Sequence, residues 1–255
     1  MRRLLMAALM LMAMLAQAQA QTLRWASQGD MQTTDPHAAN EIQTSALNGQ
    51  VYEYLVRRRP DQSIGPNLAL EWTQVTPLLW RVKLRPGVKF HDGSGFNADA
   101  VIWNLEKVFN KDAAQFDQRQ ASQVRPRLPS IASYRKVDDM TVEIKTKVVD
   151  ALFPYQMLWF LVASPANWEA QGKDWNKVAS SPSGTGPFKL ARLVPRERAE
   201  LVKNDGYWNP RRIPKSDRLV LVCAPEDSSR TAALLSGQVD MIETPPPDAV
   251  GRLKQ

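Results

Sequence analysis

The stretch LRPGVKFHDGSGFNADAVIWNL, residues 84–105, decides the fold of this chain. Apolar and charged side chains alternate over the preceding residues 80–84, which is the period of a strand with one buried face. Pro86-Gly87 suits a tight turn, because proline fixes φ and glycine accepts the positive φ of a type II turn. Apolar residues at 88 and 90 predict that the strand then resumes. Asn97 predicts the N-cap of an amphipathic helix that follows.

Other motifs follow this stretch and precede it. Later in the chain stand SGTGPFKL (183–190), KNDGYWN (203–209) and RTAALLSGQVDMI (230–242). Earlier stand TDPH (34–37), VYEYLV (51–56) and PNLALEW (66–72). In this order the motifs resemble family 5 extracellular solute-binding proteins, the dipeptide, oligopeptide and nickel receptors of ABC importers. Gly95 and Ala100 depart from the family, which usually has proline and an acidic residue there. The acid that would complete a capping box is therefore absent.

The resemblance implies an α/β fold with a divided chain. It predicts a type II periplasmic-binding-protein-like lobe, with a mixed sheet and helices, built from residues 21–59 and 180–255. A smaller strand-rich subdomain, residues 60–179, interrupts this lobe. Family members are longer, and the second lobe that closes over the ligand is missing. We therefore expect an N-terminal half, whether as a sequencing fragment, a truncated gene or a trimmed piece.

The first twenty residues have the features of a secretory signal. Arg2 and Arg3 form a positive end, residues 4–15 form an apolar core, and Ala18-Gln19-Ala20 offers a small-residue cleavage site. Twelve apolar residues are too few to cross about 30 Å of hydrocarbon, which argues against a membrane anchor. No cysteine follows the core to accept a lipid. We expect cleavage after Ala20 and a soluble periplasmic protein.

The charge and the reactive residues exclude several classes of function. The 33 basic and 26 acidic residues give +7, and loss of Arg2 and Arg3 leaves 31 − 26 = +5. The basic residues are scattered, which argues against binding of nucleic acid. Cys223 is the single cysteine, so a disulfide within the chain is impossible, and we expect it to pack in a strand. Two histidines and one cysteine provide no metal-ligating cluster.

Periodicity predicts further elements along the chain. Residues 23–26 read as a strand, and apolar residues at helical spacing over 46–55 predict a helix. The polar, proline-containing segment 111–130 predicts a flexible excursion. The apolar run 153–163 is interpreted as a buried helix or strand, with a ligand-facing wall as the alternative. Residues 188–193 and 199–203 suggest a hairpin.

The end of the chain predicts a parallel sheet. Residues 219–223 form a buried strand candidate, and a helix capped by Asp227 or Ser228 closes at Gly237. Residues 239–242 then form another strand. This strand, helix, strand order predicts a βαβ unit.

The resemblance also supplies the candidate binding residues. In the family the loop and helix start beyond the Asp35-Pro36 pair face the ligand, which here means Asn40, Glu41 and Ile42. An ordinary helix cap at Asn40 is the alternative, and both interpretations stay open. These residues would contact a small peptide or similar solute.

The chemistry of an enzyme is absent from the recognisable motifs. His91-Asp92 with Ser94 could suggest a catalytic set, but neighbours in a tight turn rarely take up triad geometry. We therefore predict no catalytic residues, no cofactor and no metal. The resemblance implies a monomeric receptor that delivers its solute to a membrane-embedded ABC permease. The alternative is a secreted hydrolase with catalytic residues beyond residue 255.

Overall fold

The computed structural model describes residues 21–39 and 41–253, so the predicted signal segment 1–20 lies outside the described residues. The helices in the described part are α1 (Ile42–Val51), α2 (Ala98–Phe109), α3 (Gln118–Val124), α4 (Phe153–Gln156), α5 (Pro165–Ala170), α6 (Trp175–Ser180), α7 (Asp227–Leu235) and α8 (Val250–Leu253). The strands are β1 (Thr22–Ser27), β2 (Glu53–Tyr54), β3 (Val56–Arg58), β4 (Ile64–Pro66), β5 (Ala69–Thr76), β6 (Leu79–Leu84), β7 (Ile131–Asp138), β8 (Thr141–Thr146), β9 (Leu161–Val162), β10 (Phe188–Val194), β11 (Arg198–Lys203), β12 (Arg218–Cys223) and β13 (Met241–Ile242).

A mixed five-stranded sheet runs in the order β10-β11-β12-β1-β13. Strand β1 pairs in parallel with β12 on one side and with β13 on the other. Strands β10, β11 and β12 are antiparallel neighbours, which confirms the predicted hairpin. The βαβ unit is also confirmed, since β12, α7 and β13 follow one another and both strands lie parallel to β1. Leu219 and Leu221 bury one face of β12.

A separate four-stranded antiparallel sheet has the order β5-β6-β8-β7. Val82 of β6 pairs with Val142 of β8, and both side chains are fully buried. Helix α2 covers this sheet with Val101 and Leu105, while Asn97 accepts the Ala100 N–H at 3.0 Å. The predicted N-cap and strand are therefore confirmed. The sheet has its own hydrophobic core, because its apolar faces pack on α2 and not on the five-stranded sheet.

Helix α1 ends four residues before the predicted end. Tyr52 is extended, with φ −108° and ψ 166°, and its hydroxyl donates to the Thr34 carbonyl at 2.9 Å. Glu53 and Tyr54 form β2 and pair with β9. The prediction of a helix to Leu55 was wrong because these tertiary contacts outweigh the apolar spacing.

Two segments between the strands also differ from expectation. Residues 88–90 form no strand, only a single bridge between Lys89 and Gly95, because the chain closes a tight loop there. The segment expected to be flexible contains α3, whose Asp117 N-cap accepts the Gln120 N–H at 2.9 Å. Ala121 is fully buried, so packing orders this polar stretch.

The cap of α7 is shifted by one residue. Glu226 occupies the N-cap position without a side-chain bond, whereas we expected Asp227 or Ser228. The Asp227 carboxylate instead binds the buried guanidinium of Arg230. Gly237, with φ +71°, ends the helix as predicted.

The segment Gly184–Gly186 joins the two sheets by close backbone contact. The Gly186 N–H donates to the Val51 carbonyl at the end of α1, at 3.0 Å. The Gly186 carbonyl accepts a hydrogen bond from His91 Nε2 at 2.9 Å, and this bond attaches the loop after β6 to the segment Gly184–Gly186. A Cβ at position 186 would lie 2.7 Å from the Val51 oxygen, so only glycine fits.

A buried carboxylate strengthens the same junction. Glu53 accepts hydrogen bonds from Thr185 Oγ1 at 2.9 Å, Tyr207 OH at 2.8 Å and Trp208 Nε1 at 2.6 Å. Burial raises the pKa of Glu53, and the three donors oppose that rise. Since the donors come from two segments distant in sequence from β2, they hold three parts of the chain together.

We predict that Gly186→Ala destabilises the protein by about 1–3 kcal/mol, because the new methyl group forces the backbone away from α1. Gly49→Ala is the matched control: it lies inside α1 with open space around its Cα. It should be neutral or stabilising by roughly 0.5–1 kcal/mol, since alanine favours the helix. Urea unfolding of both variants measures the difference. Equal stability of the two variants would contradict the close contact.

Candidate functional site

Three parallel strands end side by side at one edge of the five-stranded sheet. Strand β12 ends at Cys223, β1 at Ser27 and β13 at Ile242. Ligands of open α/β sheets bind in the crevice outside the carboxyl ends of the strands. We define this place as the carboxyl edge. It is where a ligand site is expected on general grounds.

Glu243 gathers the surrounding segments at the carboxyl edge. Its Oε1 accepts the backbone N–H of Gln28 at 3.2 Å and Nε2 of Gln43 at 2.9 Å. The loop after β1 and the first turn of α1 are thus linked through one carboxylate. Glu243 is not among the site residues predicted from the sequence. It could have been predicted, because it directly follows the predicted strand 239–242 of the parallel sheet.

The predicted site residues begin helix α1 beside this edge. Glu41 occupies the N-cap position in extended backbone, and its exposed side chain makes no capping bond. Ile42 is 74% exposed, which the packing of the fold does not explain. Asn40 lies outside the described residues. The Glu41 side chain makes no capping bond, and the Ile42 side chain is not packed in the core. Neither contact pattern gives these two side chains a role in folding.

The loop that leads to these residues is firmly anchored. Asn48 Nδ2 donates to the Asp35 carbonyl at 3.2 Å, and the Gln32 N–H donates to Thr44 Oγ1 at 3.1 Å. The Leu161 N–H donates to Nε2 of the buried His37 at 3.0 Å. These contacts hold the loop in one conformation, as a preorganised binding site would require.

Buried charges lie beneath the same loop. Asp35 and Lys107 are almost fully buried, and Arg119 Nη2 lies 3.7 Å from Asp35 Oδ2. Burial raises the pKa of Asp35 to about 6, with the Lys107 charge opposing the rise. Burial likewise lowers the pKa of Lys107 to about 7, with Asp35 opposing it. Each group thus reduces the cost of burying the other, below the candidate site.

Trp159 provides an aromatic wall near the helix start. Its side chain is 43% exposed, and the Arg127 guanidinium lies 4.2 Å from the ring centroid. Both residues line a small cavity with Ala39, next to the start of α1. The aromatic residues of the run 153–163 therefore fall into a buried group and an exposed one. Phe153 and Phe160 are core residues as interpreted, whereas Trp159 fits the alternative of a surface open to ligand.

The side chains of the His91 loop are engaged in hydrogen bonds that hold the loop together. His91 Nε2 binds the Gly186 carbonyl, while Asp92 Oδ1 accepts the hydroxyl and the N–H of Ser94. The imidazole and the Ser94 hydroxyl therefore have different partners, as predicted for a turn. Burial lowers the pKa of His91 to about 4. A neutral ring at physiological pH donates its Nε2 proton to Gly186.

Residues 21–39 and 41–253 contain neither a metal-ligating cluster nor a membrane-spanning helix. No group of three histidine, cysteine, aspartate or glutamate side chains there is arranged to hold a metal ion. Within the same ranges, every helix is too short or too polar to cross a membrane.

The chain matches one class of protein, the bacterial extracellular solute-binding proteins. The model of "Bacterial extracellular solute-binding proteins, family 5 Middle" matches residues 63–255. The chain belongs to this family.

Individual relatives extend the comparison. Glutathione-binding protein GsiB of Escherichia coli O1:K1 / APEC is 31% identical over 209 residues, 81% of this chain and 39% of that protein. GsiB of Pectobacterium atrosepticum is 30% identical over 207 residues, 80% of this chain and 38% of that protein. The chain therefore spans less than half the length of these curated relatives.

Solved structures confirm the predicted α/β fold class. The dipeptide binding protein of Pseudoalteromonas sp. SM9913, in complex with Met-Leu, superposes with a TM-score of 0.84 at 21% identity, over 92% of this chain and 49% of that chain. Periplasmic binding protein DppA of Helicobacter pylori, in complex with the peptide STSA, gives 0.81 at 24% identity, over 91% and 48%. At these identities the likeness concerns the fold alone.

We predict that His91 makes folding stability fall in acid. The pKa drops from 6.5 to about 4 on folding, so the unfolded chain binds the extra proton below pH 6.5. Full stability is present above pH 6.5 and is lost as the pH falls towards 4. At about 1.4 kcal/mol per pKa unit the full loss is about 3–4 kcal/mol.

Urea unfolding at several pH values, for the wild type and His91→Gln, tests this. The contribution of the buried His37 is common to both proteins and cancels in the difference. The variant should show a flatter pH dependence between 6.5 and 4. Identical slopes would show that His91 titrates normally.

Proposed function

We propose that this chain is part of a periplasmic receptor that binds a small peptide or similar solute and delivers it to an ABC permease. The observation that carries this proposal is the carboxyl edge, where an anchored loop presents Glu41 and Ile42 beside Glu243. Nearby Trp159 adds an apolar surface. The related proteins with bound Met-Leu and STSA support a peptide-like solute, and the GsiB relatives make glutathione a candidate.

The proposed action is binding without catalysis. A carboxylate at the site, such as Glu41 or Glu243, can receive the ammonium end or an amide N–H of a peptide. Side chains that are anchored before the ligand arrives reduce the ordering cost of binding. A second lobe would enclose the solute by hinge closure, and the permease would recognise the closed form. The receptor would act as a monomer.

Organisation and export belong to the same proposal. Residues 21–59 and 180–255 would form the first lobe, with 60–179 as the inserted subdomain. The separate hydrophobic cores of the two sheets support this division. Residues 1–20 would direct export to the periplasm and be cleaved after Ala20, as the positive end and apolar core indicate.

The test uses the whole protein purified from the periplasm and a panel of di-, tri- and tetrapeptides that includes glutathione. Thermal unfolding should shift upward with at least one member, since a ligand that binds only the folded state stabilises it. Chromatography of the same mixtures should show the peptides unchanged. Peptide turnover would contradict the proposal and favour the hydrolase alternative.

We predict that Asn40→Ala with Glu41→Ala weakens solute binding by the whole protein by about 1–3 kcal/mol, because a buried ligand group loses its partner. His91→Ala should leave affinity nearly unchanged at a temperature where it is fully folded. Calorimetric titration with the stabilising peptide measures both. Normal binding by the double variant together with lost binding by His91→Ala would move the site to the His91 loop.

A further inference from the structure

A second cavity, of about 690 Å³, is lined by four arginines and a tryptophan. Arg57 lies in β3, and Arg85 directly follows β6. Arg211 and Arg212 belong to the short 3-10 turn after Trp208. These residues come from three separate segments. We call this cavity the arginine pocket.

The arginine pocket lies at the opposite edge of the sheet from the carboxyl edge. Strand β11 runs antiparallel to β12, and Val202 near its end pairs with Arg218 at the start of β12. The segment 204–217, which follows β11, therefore starts at the amino ends of the parallel strands. Since this segment carries Trp208 and both exposed arginines, the pocket is separate from the proposed peptide site.

The positive charge of the pocket is only partly balanced within the described chain. No aspartate or glutamate lines the cavity. Among the described residues, none of its four arginines forms an ion pair with a carboxylate. The buried Glu53 beneath Trp208 accepts three hydrogen bonds, and its charge offsets part of the positive charge of Arg85 and Arg212. Four like charges around one cavity repel each other, and an anion would relieve that repulsion.

Two of the guanidinium groups are held in place before any ligand binds. Arg57 Nε donates to the Pro66 carbonyl at 3.2 Å, and Arg85 Nε donates to the Asn67 carbonyl at 2.8 Å. Arg85 also lies 4.5 Å from the Trp208 ring centroid. Anchoring through Nε leaves the terminal amino groups without a hydrogen-bond partner in the described chain. This geometry suits the paired hydrogen bonds that guanidinium forms with phosphate oxygens.

We propose that the arginine pocket binds a multivalent phosphate-bearing anion. The volume lies within the range of small-molecule sites and exceeds what one inorganic phosphate fills. A soluble oligophosphate and the headgroup of an anionic lipid share this chemistry. The proposal is independent of the peptide site at the other edge, so either can fail alone.

Calorimetric titration of the 255-residue chain with sodium tripolyphosphate is the first arm of the test. Arg212→Gln should weaken binding at least about tenfold, the loss expected for a hydrogen bond between charged groups. Arg212 is exposed and its side chain makes no bond that the fold needs, so the variant should fold normally. Arg85→Gln should weaken binding similarly, with thermal unfolding as a check on its structure.

Arg192→Gln is the matched control. It removes the same charge from the exposed face of β10, outside the arginine pocket. It should change the affinity less than about twofold, because long-range attraction between exposed charges is screened by salt. Equal losses for Arg192→Gln and Arg212→Gln would show diffuse attraction and overturn the proposal.

Sedimentation with vesicles is the second arm and separates the two sources of phosphate. Vesicles of phosphatidylcholine are compared with vesicles that also contain phosphatidylglycerol. Binding of the anionic vesicles that Arg212→Gln abolishes identifies a lipid headgroup, while binding of tripolyphosphate alone identifies a soluble anion. Failure to bind either probe overturns the proposal.

Discussion

The contact between the backbone of Gly184–Gly186 and the last turn of α1 is the constraint on which the rest of the structure depends. Because no side chain fits there, the two backbones approach closely enough for the Gly186 N–H to bond Val51. The helix stops at this contact, and the next residues turn into β2. The His91 loop then docks on the carbonyl of Gly186. One close approach thus joins both sheets.

Helix α1 connects the carboxyl edge of the five-stranded sheet with the junction between the two sheets. It begins at the carboxyl edge, beside Glu243, and ends at the junction near Glu53. A carboxylate lies at the first edge, whereas guanidinium groups without an ion-pair partner in the described chain line the arginine pocket near the other edge. The buried pair Asp35 and Lys107 adds a further constraint, since each charge makes the burial of the other less costly.

Much of the fold and part of the site were predictable from local patterns. The turn at Pro86-Gly87, the cap at Asn97 and the βαβ unit at the end of the chain depend on residues close in sequence. The motifs together identified the family. Glu243 was missed because its contacts with Gln28 and Gln43 join residues distant in sequence. The end of α1 was missed because the apolar period continues through Tyr54 and Leu55 although the helix does not.

The sequence by itself determined which residues pair locally, since backbone preferences and the alternation of apolar side chains act over a few positions. Only the tertiary structure decided where α1 stops, which side of the 153–163 run faces solvent, and that Arg57, Arg85, Arg211 and Arg212 line one cavity. The physical reason is that burial and charge depend on the distance in space between groups far apart in the chain. Local periodicity carries no information on that distance.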